Sequence, residues 1–479
     1  MNELTLVLPE SILLALACAL LIVDLFIDRS ARQKTFVFAI VSLLATAIAV
    51  AWLAAEAGNT AQLGFAQLIV VDAAGSVLKI TMLIATAVGL AYSWDYLVKH
   101  RLDNGEFVAL VLFAVLGMLV IAGSASLLTA YLGLELLSLS MYSLVALKRD
   151  DPIATEAAMK YFVLGALASG LLLFGMSILY GATGTLDLAT LAQSIGRANQ
   201  TAIAFGLIFI AAGVAFKLGV VPFHMWVPDV YQGAPTAVTM FLGAAPKVAA
   251  FALAYRLFGD ALSAAIGDWR VVLGAIALLS VVFGNLIAIA QTNIKRMLAY
   301  SAIANMGFLL LGIVAGGPEG MSAAFFYAVA YVITGLAAFG VIVLLSGRGH
   351  EVERIDDLAG LNQKSPWVAL LMLIAMFALA GIPPTLGFWA KLSVLEALVN
   401  AGLVWMAVIA VLASLIGAFF YLRVVKIMYF DPPAEKDIAS IRGFPGVLLS
   451  SNTLAVVMLG VFPGALLGVC AQAIQASLR

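Results

Sequence analysis

Long apolar stretches recur from one end of this 479-residue chain to the other, with few charged residues between them. A membrane-spanning helix needs about 20 mostly apolar residues. With that window the sequence predicts about 14 helices, named spans 1 to 14, so we expect an all-α polytopic membrane protein in which residues 1–479 form a single integral membrane domain. The spans cover residues 7–27, 35–55, 69–94, 107–123, 127–147, 157–180, 202–221, 235–257, 271–292, 297–315, 322–346, 367–398, 403–428 and 448–473.

The composition fits a chain that lies almost wholly in the bilayer. Apolar residues make up 64% of the chain and charged residues 11%, whereas a soluble domain has about 25% charged residues. A water-soluble globule and a single anchor with a large soluble head are both excluded. The formal net charge of −1 also excludes electrostatic binding of nucleic acid as the main activity.

Few residues have the pattern of a cofactor or metal site. The two cysteines, Cys18 and Cys470, each stand alone in an apolar run, so the sequence offers no metal-spaced pair. The histidines His100, His224 and His350 lie far apart, which argues against a haem or iron–sulfur centre. No glycine-rich phosphate loop follows a plausible strand. We therefore expect this chain to bind no cofactor and no metal.

Positive charge is distributed unevenly among the loops, which predicts the orientation. The loops after spans 1, 3, 5, 9, 11 and 13 hold sixteen of the 25 lysines and arginines, counting Arg423 and Lys426 near the end of span 13, and the alternate loops with the C-terminus hold four, counting Arg256 at the end of span 8. Positive loops face the cytoplasm, so both termini are expected outside. The sixteen are Arg29, Arg32, Lys34, Lys99, Arg101, Lys148, Arg149, Lys295, Arg296, Arg348, Arg354, Lys364, Arg423, Lys426, Lys436 and Arg442, and the four are Arg197, Arg256, Arg270 and Arg479.

Several ionisable residues lie inside the spans. Glu135, Lys217, Lys247 and Lys391 are placed well within them, and burying these four charges costs roughly 10–14 kcal/mol on a scale of 2.5–3.5 kcal/mol each. Such residues persist where they face a hydrated interior, pair with each other and take part in transport. Simpler interpretations stay open: Lys79 and Lys160 could extend to the interface, and Glu135 could form a purely structural pair with a lysine.

Three spans also contain residues that interrupt a helix. Span 7 runs into Pro222 and Pro228, and span 12 contains Gly381-Ile382-Pro383-Pro384. Proline removes a backbone donor and clashes with the preceding turn, so both spans should be broken, and Pro246 should free a carbonyl in span 8. Broken helices survive at membrane depth only where they line protein or water.

The two main breaks predict an internal repeat. If spans 4–8 (107–257) and spans 9–13 (271–430) each form a five-helix unit, the break falls in the fourth helix of both. Because five is odd, the second unit is inverted relative to the first, as in many transporters. Residues 1–106 then form the first three spans and 447–479 the last one.

Buried lysines indicate the transported species. Burial disfavours the charged form of an amine, which can then take up and release a proton. Sodium would need oxygen ligands, which are scarce among these spans. The pattern therefore favours a proton relay through Glu135, Lys217, Lys247 and Lys391.

Over nearly its whole length the sequence resembles the antiporter-like membrane subunits of complex I. The resemblance implies that Glu135 pairs with Lys217, that Lys247 is the central relay lysine and that Lys391 passes the proton outward. It also implies that Lys160 and His224 support the first half of the channel. The resemblance is carried by residues 156–162, 222–231, 233–236, 293–302 and 380–384.

The same resemblance implies partners. They are the antiporter-like subunits L and M, the small membrane subunits A, J, K and H, membrane lipids, and a peripheral arm that carries FMN and iron–sulfur clusters and reduces quinone at its junction with the membrane. This chain would be the proton-translocating subunit of an NADH:quinone oxidoreductase in a bacterial inner membrane, without a redox centre of its own. A cation/proton antiporter subunit of the Mrp type is the main alternative, and a structural membrane module is a third.

Overall fold

The fold consists almost entirely of α-helices. The computed structural model describes residues 2–28, 31–58, 60–347, 351–433, 441 and 443–477, and within these ranges it contains 21 α-helices and one two-stranded sheet. The helices are Glu3–Leu6 (α1), Leu8–Asp24 (α2), Gln33–Ala57 (α3), Ala73–Lys99 (α4), Gly105–Ala122 (α5), Leu127–Val145 (α6), Pro152–Thr183 (α7), Leu188–Ser194 (α8), Gln200–Leu218 (α9), Trp226–Gly233 (α10), Thr236–Leu242 (α11), Ala245–Ala254 (α12), Ile266–Ile289 (α13), Ile294–Ala315 (α14), Gly317–Leu345 (α15), Leu361–Lys364 (α16), Pro366–Ala380 (α17), Leu386–Asn400 (α18), Val404–Phe430 (α19), Phe444–Val461 (α20) and Gly464–Ser477 (α21).

Shorter elements complete the chain. A π-helical turn, Tyr255–Ala261, continues α12, and the strands Gln62–Gly64 (β1) and Ile69–Val71 (β2) pair antiparallel. The 3₁₀ turns are Ile195–Arg197, Ser263–Ala265 and Ile355–Leu358.

The predicted class, an all-α polytopic membrane protein, is confirmed. Among the described residues, twelve helical segments are long and apolar enough to cross a membrane. Each of the 14 predicted spans has a helix at its position, span 1 as the shorter α2 and span 12 as α17 and α18. The prediction for span 14 is wrong in one respect, because α20 ends at Val461 and α21 begins only at Gly464. Pro463 lacks the amide hydrogen that would continue the helix.

Helix starts follow from local sequence signals. Asp151 accepts hydrogen bonds from the backbone amides of Ile153 and Ala154, and Pro152 begins α7. Asn293 accepts from the amide of Arg296 at the start of α14 in the same way. These side chains satisfy amides that have no partner within the helix.

The ends of the spans gather on two faces. On one face, Tyr96, Lys148, Thr236 and Lys295, which follow or end spans 3, 5, 7 and 9, surround Glu351, which follows span 11. We call this the odd-loop face. On the opposite, even-loop face, β2 bonds to the loop after span 4, and that loop bonds to the segment after span 6. Of the residues used to predict orientation, Arg29, Arg348, Lys436, Arg442 and Arg479 lie outside the described ranges.

The most buried helices lie at the centre of the bundle. The segment that holds α11 and α12 is wholly buried, and α14 and α15 are almost so. By contrast, α3, α7, α19 and α20 expose much of their surface, as expected of helices that face lipid. The buried segment with α12 carries Lys247, one of the predicted site residues.

Candidate functional site

Span 7 breaks between α9 and α10. The first half ends at Leu218, and Gly219 follows in a left-handed conformation with φ +76°. The chain then turns through Pro222, and the indole nitrogen of Trp226 donates to the carbonyl of Phe216 across the break, 3.1 Å away. The predicted break is confirmed, and it leaves backbone carbonyls at the end of α9 open to other donors.

The break in span 12 shows the same features, in the same order along the chain, as the break in span 7. Here α17 ends at Ala380, Gly381 has φ +85°, and α18 begins at Leu386. Each break also contains a cis peptide bond before a proline, at Pro222 and at Pro384. Span 8 is interrupted too, since α11 ends at Leu242 and α12 begins at Ala245. The predicted break in span 12 is therefore confirmed, whereas the carbonyl that Pro246 was expected to free in span 8 stays a prediction.

A lysine ammonium contacts the same carbonyl position at both breaks. The Nζ atom of Lys247 donates to the carbonyl of Leu218 at 2.8 Å, and the Nζ atom of Lys391 donates to that of Ala380 at 2.7 Å. Each acceptor precedes the left-handed glycine. Since the carbonyl end of a helix carries partial negative charge, it favours a cation there.

The two lysines reach these carbonyls from different elements. Lys247 comes from α12, in the span after the break, whereas Lys391 comes from α18, the second half of the broken span itself. Lys391 also donates to the hydroxyl of Ser414 at 2.8 Å. An aromatic ring lies beneath each ammonium, Trp226 at 5.3 Å and Phe308 at 5.2 Å.

Glu135 and Lys217 do not form the direct ion pair that we expected. Both lie in the described ranges, and no nitrogen–oxygen contact within 4.0 Å joins them. Lys217 instead donates to the hydroxyl of Ser138 at 2.6 Å, and Glu135 accepts a hydrogen bond from the hydroxyl of Ser169. Glu135 and Ser138 stand one turn apart on α6, so the carboxylate and the lysine are held by neighbouring positions of one helix.

Lys217 and Lys247 both line one small cavity. Its volume is about 20 Å³, which is enough for one water molecule. Apart from the two lysines and Ser138 its lining is mostly apolar, with Tyr161 and Trp226 on one side. A second cavity of about 10 Å³ adjoins Lys391 and is lined by Asn305, Tyr327, Tyr331 and Thr334. The structure thus places two of the predicted lysines around one space and the third beside another.

Lys160 and His224 lie apart from these cavities. Lys160 is partly exposed, and its Nζ atom lies 2.8 Å from a carboxylate oxygen of both Glu156 and Asp229. Asp229 belongs to α10 and also pairs with Arg296 at 2.7 Å. His224 is half-buried in the turn between α9 and α10, where its main-chain carbonyl accepts from the amide of Val227. Lys160 therefore contacts the second half of the broken span 7 rather than Lys217.

The sequence interpretation missed a polar network beside Lys391. Tyr327 donates to the side-chain oxygen of Asn305 at 2.7 Å, and Asn305 donates to the carbonyl of Ser301 at 2.8 Å. The hydroxyls of Ser301 and Tyr421 lie 2.5 Å apart. Polar residues one helical turn apart, at 301 and 305, are the signal that could have revealed it.

Three cations expected near the surface are buried instead. Lys79 was expected to extend to the interface, but its side chain is 4% exposed and pairs with Glu10 at 2.5 Å. Arg256 and Lys295, both assigned to loops, are 4% and 2% exposed. Arg256 binds Asp72, and Lys295 lies 3.6 Å from Glu351. Loop assignment from apolar windows cannot reveal a cation that finds its partner on a distant part of the chain.

Comparison with known proteins places these features in a family. The profile of the family described as NADH:quinone oxidoreductase/Mrp antiporter, transmembrane, matches residues 124–417, a range that contains all six predicted site residues. NADH-quinone oxidoreductase subunit N of Herminiimonas arsenicoxydans is 51% identical over 494 residues and covers 100% of both chains. The chain belongs to this NADH:quinone oxidoreductase/Mrp antiporter family.

Solved structures with the fold of this family agree. A chain of respiratory complex I from Thermus thermophilus with bound aureothin is 30% identical, with a TM-score of 0.82 over 96% of this chain and 98% of that one. A chain of the Mrp complex from Dietzia sp. DQ12-45-1b has a TM-score of 0.80 at 23% identity, over 98% of this chain and 100% of that one. The second likeness shows the antiporter fold alone.

Proposed function

We propose that this chain is the proton-translocating, N-type membrane subunit of an NADH-quinone oxidoreductase, in which protons move through Glu135, Lys217, Lys247 and Lys391. The observation that carries the proposal is the pair of lysines at the helix breaks, together with the cavity shared by Lys217 and Lys247. The relatives named subunit N support this assignment over the Mrp alternative.

The first transfer crosses the small cavity. The ammonium of Lys217 donates to Ser138, and a water in the cavity can accept its proton and pass one to Lys247. On Lys247 the new charge is stabilised by the carbonyl of Leu218 and by the ring of Trp226. Transfer thus exchanges one stabilised position of the proton for another.

Charge repulsion gives the transfer its direction. Two ammonium groups that line one small, mostly apolar cavity repel each other, because such surroundings screen charge little. We propose that protonation of Lys217 drives the proton of Lys247 onward in this way. The onward path leads across α15, which packs against both α12 and α18, to Lys391. Lys391 again finds a freed carbonyl and the hydroxyl of Ser414.

Glu135 controls how readily Lys217 holds its proton. A carboxylate one turn from Ser138 favours the charged form of the lysine. We propose that redox energy released in partner subunits alternates the charge on this part of the site, with Lys160 and His224 in supporting roles at the broken span 7. We further propose two inverted five-helix units, spans 4–8 and 9–13, with the relay across them.

The proposal includes an assembly. The partners are the subunits L, M, A, J, K and H and the peripheral arm, which holds the FMN, the iron–sulfur clusters and the quinone site, while this chain carries no redox centre. The location is a bacterial inner membrane, with the odd-loop face in the cytoplasm and both termini outside. The excess of lysine and arginine in the odd-numbered loops supports this orientation.

The experiment measures NADH-driven proton pumping in inside-out vesicles that carry the complete complex. We expect Lys247→Ala and Glu135→Gln to lower the proton-to-electron ratio, because loss of a positioned acid–base group slows proton transfer about 100-fold or more. Lys217→Arg should also lose pumping, since arginine keeps the charge but does not readily release a proton. Lys426→Ala, at an exposed lysine, is the control.

Three results would contradict the proposal. A normal ratio in both Lys247→Ala and Glu135→Gln would remove the relay and leave a structural role for the buried charges. Full pumping by Lys217→Arg would exclude proton exchange at that residue. Cation-dependent proton exchange without NADH, in a preparation that lacks flavin and iron–sulfur subunits, would favour the Mrp-type antiporter instead.

A further inference from the structure

The proposed relay leaves the polar network beside Lys391 without a role. The cavity next to Lys391 is lined by Tyr327, Asn305, Tyr331 and Thr334, so the lysine and the network face the same space. From there the hydrogen bonds run from Tyr327 to Asn305, then to Ser301 and Tyr421. The network therefore begins at the cavity beside Lys391.

Its direction follows from the helices that carry it. Ser301 precedes Asn305 by one turn on α14, a helix that begins at Ile294 on the odd-loop face. With a rise of 1.5 Å per residue, Ser301 lies about 10 Å from that first residue. Tyr421 belongs to the last part of α19, which ends at Phe430 on the same side. The network thus leads from Lys391 toward the odd-loop face.

The network consists of groups suited to move a proton. A hydroxyl can donate and accept at the same time, and the hydroxyls of Ser301 and Tyr421 are in close contact within a buried, largely apolar setting. Asn305 contacts Ser301, Tyr421 and Tyr327, which makes it a positioning residue. The ring of Tyr327 stacks on Phe308, whose face lies under the Lys391 ammonium.

We propose that Tyr421, Ser301 and Tyr327 form a second uptake branch that loads Lys391 with protons from the odd-loop face, without passage through Lys217 and Lys247. In one transfer a proton enters at Tyr421 and passes to Ser301, whose hydroxyl it contacts. The Asn305 amide lies between Ser301 and Tyr327 and only positions them, so a water beside it carries a proton from Ser301 to the Tyr327 hydroxyl. Tyr327, which lines the cavity, then releases a proton to the neutral amine of Lys391. No electron moves and the hydroxyls end unchanged. This inference depends on the proposed role of Lys391 as a proton carrier.

The test uses the complete complex in inside-out vesicles and removes single hydroxyls. Tyr421→Phe and Tyr327→Phe keep the rings and their packing, and Ser301→Ala is a third, smaller change. We expect all three to lower the proton-to-electron ratio toward that of Lys391→Ala. Tyr92→Phe is the matched control, because Tyr92 is an equally buried tyrosine whose hydroxyl contacts a carbonyl outside the network. A change in packing alone alters the yield of the complex, whereas the proton-to-electron ratio reports on proton transfer.

A double variant that combines Lys247→Ala with Tyr421→Phe tests whether the branch works independently of the main relay. If the branch is independent, Lys247→Ala keeps residual pumping, and adding Tyr421→Phe removes it. If Lys391→Ala loses pumping while the three hydroxyl variants match Tyr92→Phe, the relay stands and the branch is refuted. If Lys391→Ala itself pumps normally, the proposed function fails at this residue, and the branch fails with it.

Discussion

At the scale of single residues, two glycines make the lysine contacts possible. Gly219 and Gly381 adopt φ values of +76° and +85°, which L-residues with a side chain rarely adopt. Each also leaves room for its lysine. A Cβ atom on Gly381 would lie 2.7 Å from Cδ of Lys391, and one on Gly219 would lie 3.3 Å from Nζ of Lys247. The glycines therefore both end the helix halves and admit the ammonium groups.

We predict that Gly381→Ala impairs pumping more than it impairs stability. Gly402→Ala is the control, because Gly402 has a similar φ of +75° but no atom within 4 Å of an added Cβ. The left-handed conformation costs both variants about 1–2 kcal/mol, whereas only Gly381→Ala displaces Lys391. Thermal unfolding and the proton-to-electron ratio are measured together. Equal ratios in the two variants would show that this lysine contact is not needed.

The sequence revealed the charged residues of the site better than their partners. Glu135, Lys217, Lys247 and Lys391 are visible because each interrupts an apolar run. Their contacts are serine hydroxyls and main-chain carbonyls, which any stretch of sequence can supply. Only the packing of the helices decides which serine or carbonyl lies within reach, so contacts with Ser138 and Ser169 in place of a direct Glu135–Lys217 contact could not be predicted.

At the scale of elements, one buried ion pair joins three helices near the even-loop face. The guanidinium of Arg256, after α12, binds both oxygens of Asp72 at 2.7 and 2.8 Å and also donates to the carbonyl of Ala122 at the end of α5. Asp72 in turn caps the first turn of α4. Burial alone would raise the pKa of Asp72, but the adjacent Arg256 guanidinium holds it below its ordinary value of 3.8.

We predict that Asp72→Asn strongly destabilises the protein. It removes the two closest carboxylate contacts of the buried Arg256 and leaves Asp260, at 3.3 Å, as its remaining counter-ion. Since breaking a buried pair completely typically costs about 3–5 kcal/mol, we expect a loss toward the lower end of that range. Thermal unfolding in detergent measures the loss. Asp356→Asn, which removes an exposed partner of Arg354, should change little. Similar losses in both variants would mean that burial of the Asp72 pair is not what stabilises these helices.

The same carboxylate sets a pH dependence. Because the pKa of Asp72 is lower in the folded state, its contribution to stability is complete above pH 3.8 and is lost as the pH falls through the folded value. We expect the stability difference between the natural protein and Asp72→Asn to be constant at neutral pH and above and to shrink in strong acid, while in between Asp260, the other carboxylate on Arg256, also contributes. A difference that already shrinks near neutral pH would contradict this assignment.

Helix positions were more predictable than helix continuity. Apolar windows gave all fourteen spans a helical counterpart, because burial in lipid requires the backbone to be hydrogen-bonded internally. Proline clusters correctly marked the breaks in spans 7 and 12. The single Pro463 was not read as a break in span 14, although α20 ends just before it. A lone proline in a long apolar run can kink or end a helix, and packing decides which.

At the scale of the whole molecule, Glu351 connects both proposed units at the odd-loop face. It accepts hydrogen bonds from Tyr96 of α4 at 2.6 Å and from the Thr236 hydroxyl at the start of α11, and it pairs with Lys148 and Lys295. Burial would raise the pKa of Glu351, but Lys295 and Lys148 hold it well below its usual range. One carboxylate thus fixes the start of the span that carries Lys247 to helices of both units.

We predict that Glu351→Gln loosens this junction. The amide keeps some hydrogen bonds but removes the carboxylate that Lys148 and Lys295 contact directly, so the first turns of α11 and α14 should open more often. Hydrogen exchange of the backbone amides at 236–242 and 294–300 measures this opening. The free energy of opening should fall by about 3–5 kcal/mol at most, which is the typical cost of breaking a buried ion pair. The matched variant Glu353→Gln changes an exposed neighbour and should leave both turns protected. Thr236 and Lys247 lie in one interrupted span, so we expect Glu351→Gln to slow proton pumping as well as to speed hydrogen exchange. Unchanged hydrogen exchange in Glu351→Gln would show that packing alone holds the two units together.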